Sequence, residues 1–137
     1  MAVRYIKTKQ TYFIKGEMKE KCRARILRDS PMRLDELATN ISHATTVSRP
    51  DVLAVLAALE EEIANAVLNG RPVKLEHLGS FTPSITAKVC DKAKDVTPET
   101  IEQFSCKYTP SKYMKKKFEE VHYQLKRVAS AKDEGKD

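Results

Sequence analysis

The stretch Val73–Phe81, VKLEHLGSF, decides how this chain folds. Val73 and Leu75 alternate with Lys74 and Glu76, the period-two pattern of a strand with one buried face. Leu78-Gly79-Ser80 interrupts the alternation, and Phe81, Ile85 and Val89 resume it on a second strand. Gly79 tolerates the positive φ of a tight turn between strands, and Ser80 suits the same place. A hairpin is expected here, and Asn69-Gly70 immediately before it ends a helix.

That helix begins at Ser48. Ser48 and Asp51 stand at the N-cap and third positions of a capping box, with Asp in place of Glu or Gln. Pro50 falls in the first turn, where a missing N–H costs nothing. Val52, Leu56, Leu59, Ile63 and Ala66 repeat at four-three-four-three spacing, widened by Leu53 and Val67. Gly70 is placed as the left-handed residue that closes the helix. A helix of about twenty residues, or ~30 Å, suits packing against a neighbour along its whole extent.

Upstream, Leu34, Leu37, Ala38 and Ile41 predict a short helix to His43, with Asp35 and Glu36 in its first turn. Residues 2–9 and 22–28 read as strands joined through Gly16. In the second, Arg23 and Arg25 share one face; they either touch phosphates or guard a sheet edge against pairing with another chain. Downstream, Cys90–Glu102 is a solvated connection in which Thr97-Pro98-Glu99 starts one helical turn. Residues 103–109 form a third strand, with Phe104, Cys106 and Tyr108 on one face. Pro110-Ser111 caps a last helix running to about Val128 through Met114, Phe118, Val121 and Leu125. The polar residues 129–137 are expected to be disordered. The order is β-β-α-α-β-β-β-α, an α+β pattern. It divides into an N-terminal strand extension (1–29), a main domain (30–128) and the tail (129–137).

Composition narrows the function. The 137 residues carry a net charge of +6, unevenly placed. Residues 1–30 hold nine basic and three acidic groups, residues 31–70 two and six, and residues 71–137 fourteen and ten. Basic ends on either side of an acidic helical middle suit a polyanion partner, or simply keep a small protein in solution. No apolar run has the length of a membrane helix and no secretory leader pattern opens the chain, so the cytoplasm is expected. Cys22, Cys90 and Cys106 have no CxxC spacing, and His43, His77 and His122 are scattered. No cofactor, metal or small-molecule substrate is expected. With no glycine-rich phosphate loop and no nucleophile motif, neither is an enzyme.

Lysines mark the remaining candidates. Lys112, Lys115, Lys116 and Lys117 crowd the first two turns of the expected last helix, where the dipole disfavours positive charge. Either they form a phosphate cradle with the free backbone amides, or they are a solubilising face. On the hairpin, Thr82, Ser84, Thr86 and Lys88 alternate away from Phe81 and Ile85. Lys74 and Lys107 point out from the neighbouring strands by the same alternation. Hydroxyls and ammonium groups of this kind position a duplex without reading its bases.

With the long helix ending in NG, VKLEHLGSF and YTPSKYMKK on the page, the chain resembles the HU/IHF group of bacterial histone-like DNA-binding proteins. The likeness spans roughly Arg33–Val128, and the N-terminal strands resemble those of extended HU-related proteins of Bacteroides-type bacteria. It implies an intertwined homodimer bound to double-stranded DNA in the nucleoid, with a β-arm from each subunit reaching round the minor groove. It places Gly79 and Ser80 at a turn that approaches a phosphate, and Lys112 and Lys115 on two basic positions of the last helix. The expected DNA-contact set is Lys74, Gly79, Ser80, Lys88, Lys92, Lys94, Lys107, Lys112, Lys115 and Lys116.

The arm departs from the family. Ser84 and Thr86 stand where it has arginines, and Cys90–Glu102 lacks its Arg-Asn-Pro tip, whose proline wedges between base steps. A shortened arm and weak, little-bending, sequence-independent binding are expected. The alternative is an HU-fold assembly scaffold with a protein partner and negligible DNA affinity.

Overall fold

The computed structural model describes residues 2–127, so the tail 129–137 lies outside the described residues. Strands β1 (Ala2–Ile14) and β2 (Glu17–Ile26) precede helices α1 (Leu34–Ala44) and α2 (Arg49–Leu68). Strands β3 (Val73–Leu75), β4 (Gly79–Ala87) and β5 (Ile101–Pro110) follow, then α3 (Lys112–Phe118) and β6 (His122–Leu125). The architecture is α+β, with two three-stranded sheets ordered β2-β1-β6 and β3-β4-β5. Two compact units result. One holds the described parts of Met1–Pro31 and Glu119–Asp137, the other Met32–Phe118.

In the larger unit, the ends of α2 form as its residues dictate. Ser48 accepts a hydrogen bond from the Asp51 N–H (3.4 Å), and its hydroxyl donates to the Asp51 carboxylate (2.8 Å). At the other end Gly70 takes φ +75°. The Gly70 N–H reaches the Val67 carbonyl (3.0 Å) and the Arg71 N–H reaches the Ala66 carbonyl (2.9 Å). This is the paired closure of a Schellman end. Helix α1 packs on α2, tied by Arg49 Nε donating to Thr39 Oγ1 (2.9 Å). Ala38, Val52 and Val67 are the buried apolar residues of the described chain.

Strands β3, β4 and β5 form an antiparallel meander. Residues directly opposite share a face, so Val73, Phe81 and Tyr108 lie together, followed by Ile85 with Phe104. Strand β3 pairs only as far as Phe81, and Pro83 follows on the side of β4 that β3 leaves open. Its missing N–H removes a donor from that free edge. Pairing with β5 continues to Ala87 and Ile101, past an irregularity between Thr86 and Ala87.

The smaller unit is built on a hairpin longer than the alternation of residues 2–9 and 22–28 predicts. Lys15 (φ +51°) and Gly16 (φ +81°) form a two-residue turn of the type that matches strand twist. Pairing runs from Tyr5–Ile26 to Ile14–Glu17. The last helix is corrected more deeply: it stops at Phe118 instead of Val128. Residues His122–Leu125 form β6, parallel to β1 with Val3 opposite Tyr123 and Tyr5 opposite Leu125. Val121, Tyr123 and Leu125 satisfy a period of two as well as Val121 and Leu125 satisfy a helical one. The free edge of β1, with its unpaired backbone groups, favours the strand.

Apolar cover is short in the larger unit. Val55 on α2 is 65% exposed, and Ile85 (55%) and Phe104 (46%) lie open on the apolar side of the meander.

Gly79 decides how closely β4 meets β5. It has φ +137°, and a Cβ there would lie 2.2 Å from the Thr109 carbonyl oxygen and 3.0 Å from Pro110 Cα. At Gly70 (φ +75°) a Cβ meets nothing within 4 Å. Gly79→Ala is therefore expected to lower stability by about 2–4 kcal/mol, and Gly70→Ala by about 1–2. Urea unfolding of the two variants checks the order.

Candidate nucleic-acid interface

The meander's second face is polar from end to end. Lys74 stands opposite Ser80 and Ser80 opposite Thr109; Thr82 faces Lys107, Ser84 faces Ser105, and Thr86 faces Gln103. The structure thus brings Lys74, Ser80 and Lys107 onto one surface of hydroxyls and amides with no carboxylate in these paired positions. Hydroxyls and ammonium groups suit phosphate and sugar oxygens.

Gly79 is part of this arrangement but buried, and its place is explained by the close approach to the β5 backbone. The turn itself is Glu76–Leu78, two residues earlier than the broken alternation suggests. It is fastened to the start of α3. The Ser111 hydroxyl donates to the His77 carbonyl (2.8 Å) while its oxygen accepts from the Met114 N–H (3.1 Å). The Tyr108 hydroxyl donates to the Leu78 carbonyl (2.8 Å), and the His77 and Tyr113 rings lie 4.9 Å apart. The turn that leads into Ser80 and the lysines of α3 are therefore held by one network. The single letter S at 111 carries two jobs that the sequence reading assigned only as a cap.

For the α3 lysines the electrostatic argument changes. With the helix ending at Phe118, Lys115, Lys116 and Lys117 occupy its last turn, where the dipole favours cations. Their position no longer requires a ligand to explain it. The Lys117 ammonium lies 5.6 Å from the Tyr113 ring centroid, a cation–π contact within the helix. Lys112 opens α3.

Lys88, Lys92 and Lys94 fall elsewhere, in the loop between β4 and β5. Its neck is closed by the Lys88 N–H on the Thr100 carbonyl (2.9 Å), and two short 3-10 turns, Ala93–Asp95 and Pro98–Thr100, fold it back. Val89 lies beyond the end of β4 and is exposed, where alternation had put it on the core face. Asp91, Asp95 and Glu99 match the loop's three lysines in number. The Thr97 hydroxyl beside Glu99, with the residue's own backbone N–H, holds that carboxyl below the ordinary carboxylate range. It stays charged at neutral pH. The loop thus presents mixed charge instead of a basic ribbon.

Sequence reasoning missed Lys19 and Lys21. Because β2 starts at Glu17, they share a face with Arg23 and Arg25. The alternation of Lys19, Lys21, Arg23 and Arg25 is visible in the letters once the strand is begun early enough. Among the described residues, no three His, Cys, Asp or Glu side chains gather as a metal site, and no helix is long and apolar enough to cross a membrane.

A helical pair followed by a three-stranded meander and a short closing helix is consistent with an HU-like α+β body. The chain belongs to the HU-HIG family, an HU domain fused to wHTH, Ig, or glycine-rich motif, which matches residues 1–127. Among solved structures it is similar to a candidate bacterial DNA-binding protein from Bacteroides vulgatus ATCC 8482. The identity is 11% and the TM-score 0.64, over 90% of this chain and 48% of that one. At that identity the likeness shows the fold alone, and the chain spans about half the length of this relative. Comparison with curated proteins finds no match.

Ser111→Ala removes the α3 cap and the tie to the His77 carbonyl together. A loss of about 1–2 kcal/mol is expected, with amide exchange accelerating at Met114 and in the Glu76–Leu78 turn. Hydrogen-exchange mass spectrometry reads both.

Proposed function

We propose that this chain is a nucleoid-associated protein that binds double-stranded DNA without reading its sequence, acting as a homodimer and bending the duplex little. The observation that carries the proposal is a single sheet with two unlike faces. One is apolar and largely uncovered, at Ile85, Phe104 and Tyr108; the other is built of lysine and hydroxyl side chains. A second copy covering the apolar face would leave both polar faces free for a polyanion. Family membership supports DNA as that polyanion, since the HU domain gives the family its name.

In this reading Lys74, Ser80 and Lys107 lie along the sugar-phosphate backbone, and Lys112, Lys115 and Lys116 add a basic flank. Gly79 shapes the turn that presents Ser80. Lys88, Lys92 and Lys94 contribute least, because three carboxylates share their loop. Such phosphate contacts release counterions, so affinity falls with salt by a log–log slope of about 0.9 per contact. With a loop of mixed charge in place of a basic arm, deformation of the duplex is not strongly rewarded.

That same loop favours one competing reading, an assembly scaffold of HU fold whose partner is a protein. Charge reversal separates the two. Under the DNA-binding reading, Lys112→Glu with Lys115→Glu weakens duplex binding at least tenfold and lowers the salt slope by about two, with the oligomeric state unchanged. Fluorescence anisotropy on a labelled duplex measures it. A wild-type chain that ignores duplex DNA even at low salt would favour the scaffold.

A further inference from the structure

We propose that one face of the β1–β2 hairpin is a second docking surface for the backbone of duplex DNA, in a unit separate from the meander. This rests on the DNA-binding reading above and extends it to a part of the chain that HU-type contacts do not include.

The register defines the face. Opposite one another stand Ile6 and Arg25, Thr8 and Arg23, Gln10 and Lys21, and Tyr12 and Lys19. Four successive same-face positions of β2 are therefore cationic. Alternate residues of a strand are about 6.8 Å apart, so the row extends ~20 Å, in steps close to those between neighbouring phosphates of one strand. The β1 residues beside it, Thr8, Gln10 and Tyr12, are polar; the Thr8 hydroxyl donates to the Arg23 carbonyl (3.3 Å) and the Tyr12 hydroxyl to Gln10 Oε1, and the Gln10 amide N–H groups suit phosphate or sugar oxygens.

Charge balance favours a polyanion there. Among the described residues, the ion pairs of this unit are Arg4 with Asp29 and Lys9 with Glu20 (3.5 Å), and neither engages the row. The only carboxylate on the same face of β2 is Glu17, next to the turn. On the opposite face β2 shows Met18, Glu20, Cys22, Ala24 and Ile26, which line up with Lys7 and Lys9 of β1. Strand β2 is the outer strand of its sheet, and charged side chains also protect such an edge. Edge protection is satisfied by one or two charges on either face. It does not account for four cations on one face and none on the other face of β2.

The test uses the full chain and a labelled 30-base-pair duplex, titrated over a range of salt. Arg23→Gln with Arg25→Gln removes two charges from the row, and Lys7→Gln with Lys9→Gln removes two from the opposite face. The first pair is expected to reduce the salt slope by about 1.8, and the second to leave it unchanged. In the unmodified chain, bound duplex should also protect Lys19 and Lys21, but not Lys7 and Lys9, from amine acetylation. This readout stands even if a variant misfolds. Equal slope losses in the two pairs, or Lys19 and Lys21 left unprotected, would overturn the proposal while leaving the meander interface standing. A chain that binds anionic vesicles but not duplex DNA overturns both.

Discussion

An apolar sheet face without enough of its own chain to cover it is the constraint on which the larger unit depends. Phe81, Ile85, Phe104 and Tyr108 stand on that face, and Val55 and Leu59 on α2 are likewise exposed. Burial of such a side chain contributes roughly 1.5–3 kcal/mol. Five or six of them together approach the entire net stability of a typical domain, about 5–15 kcal/mol. The buried apolar side chains of the described residues are Ala38, Val52 and Val67, all small. The proposed homodimer would answer this imbalance, with the residues that leave one chain under-packed serving as the core of two.

Such a pairing would also order the chemistry. With the apolar face against a partner, strand alternation would leave the other face, with Lys74, Ser80, Thr82 and Lys107, available to solvent or a ligand. Ser111 and Tyr108 then matter beyond their own hydrogen bonds. By holding the Glu76–Leu78 turn against α3, they fix the lysines of that helix relative to Ser80. An interface that relies on phosphate contacts needs such positioning more than it needs strong individual contacts.

The elements legible in the sequence were those with local chemistry at both ends. Ser48 and Gly70 delimit α2 because a side-chain cap and a left-handed closure are decided within a few residues. The alternation through Lys74, Phe81 and Lys107 gave the meander for the same reason. Val121–Leu125 was misread because five residues cannot distinguish two periods, and the edge of β1 that decided the matter lies over a hundred residues away. The error carried into the site. Lys115–Lys117 are misplaced only on a helix that runs on to Val128, and the row at Lys19–Arg25 does not show on a β2 that begins at Cys22.

Sedimentation equilibrium of the full chain, combined with thermal unfolding over a hundredfold range of concentration, decides whether two chains share one core. The expected result is a species of twice the 15.5 kDa chain mass, with a melting temperature that rises with concentration. A folded monomer of 15.5 kDa whose melting temperature does not depend on concentration would contradict it.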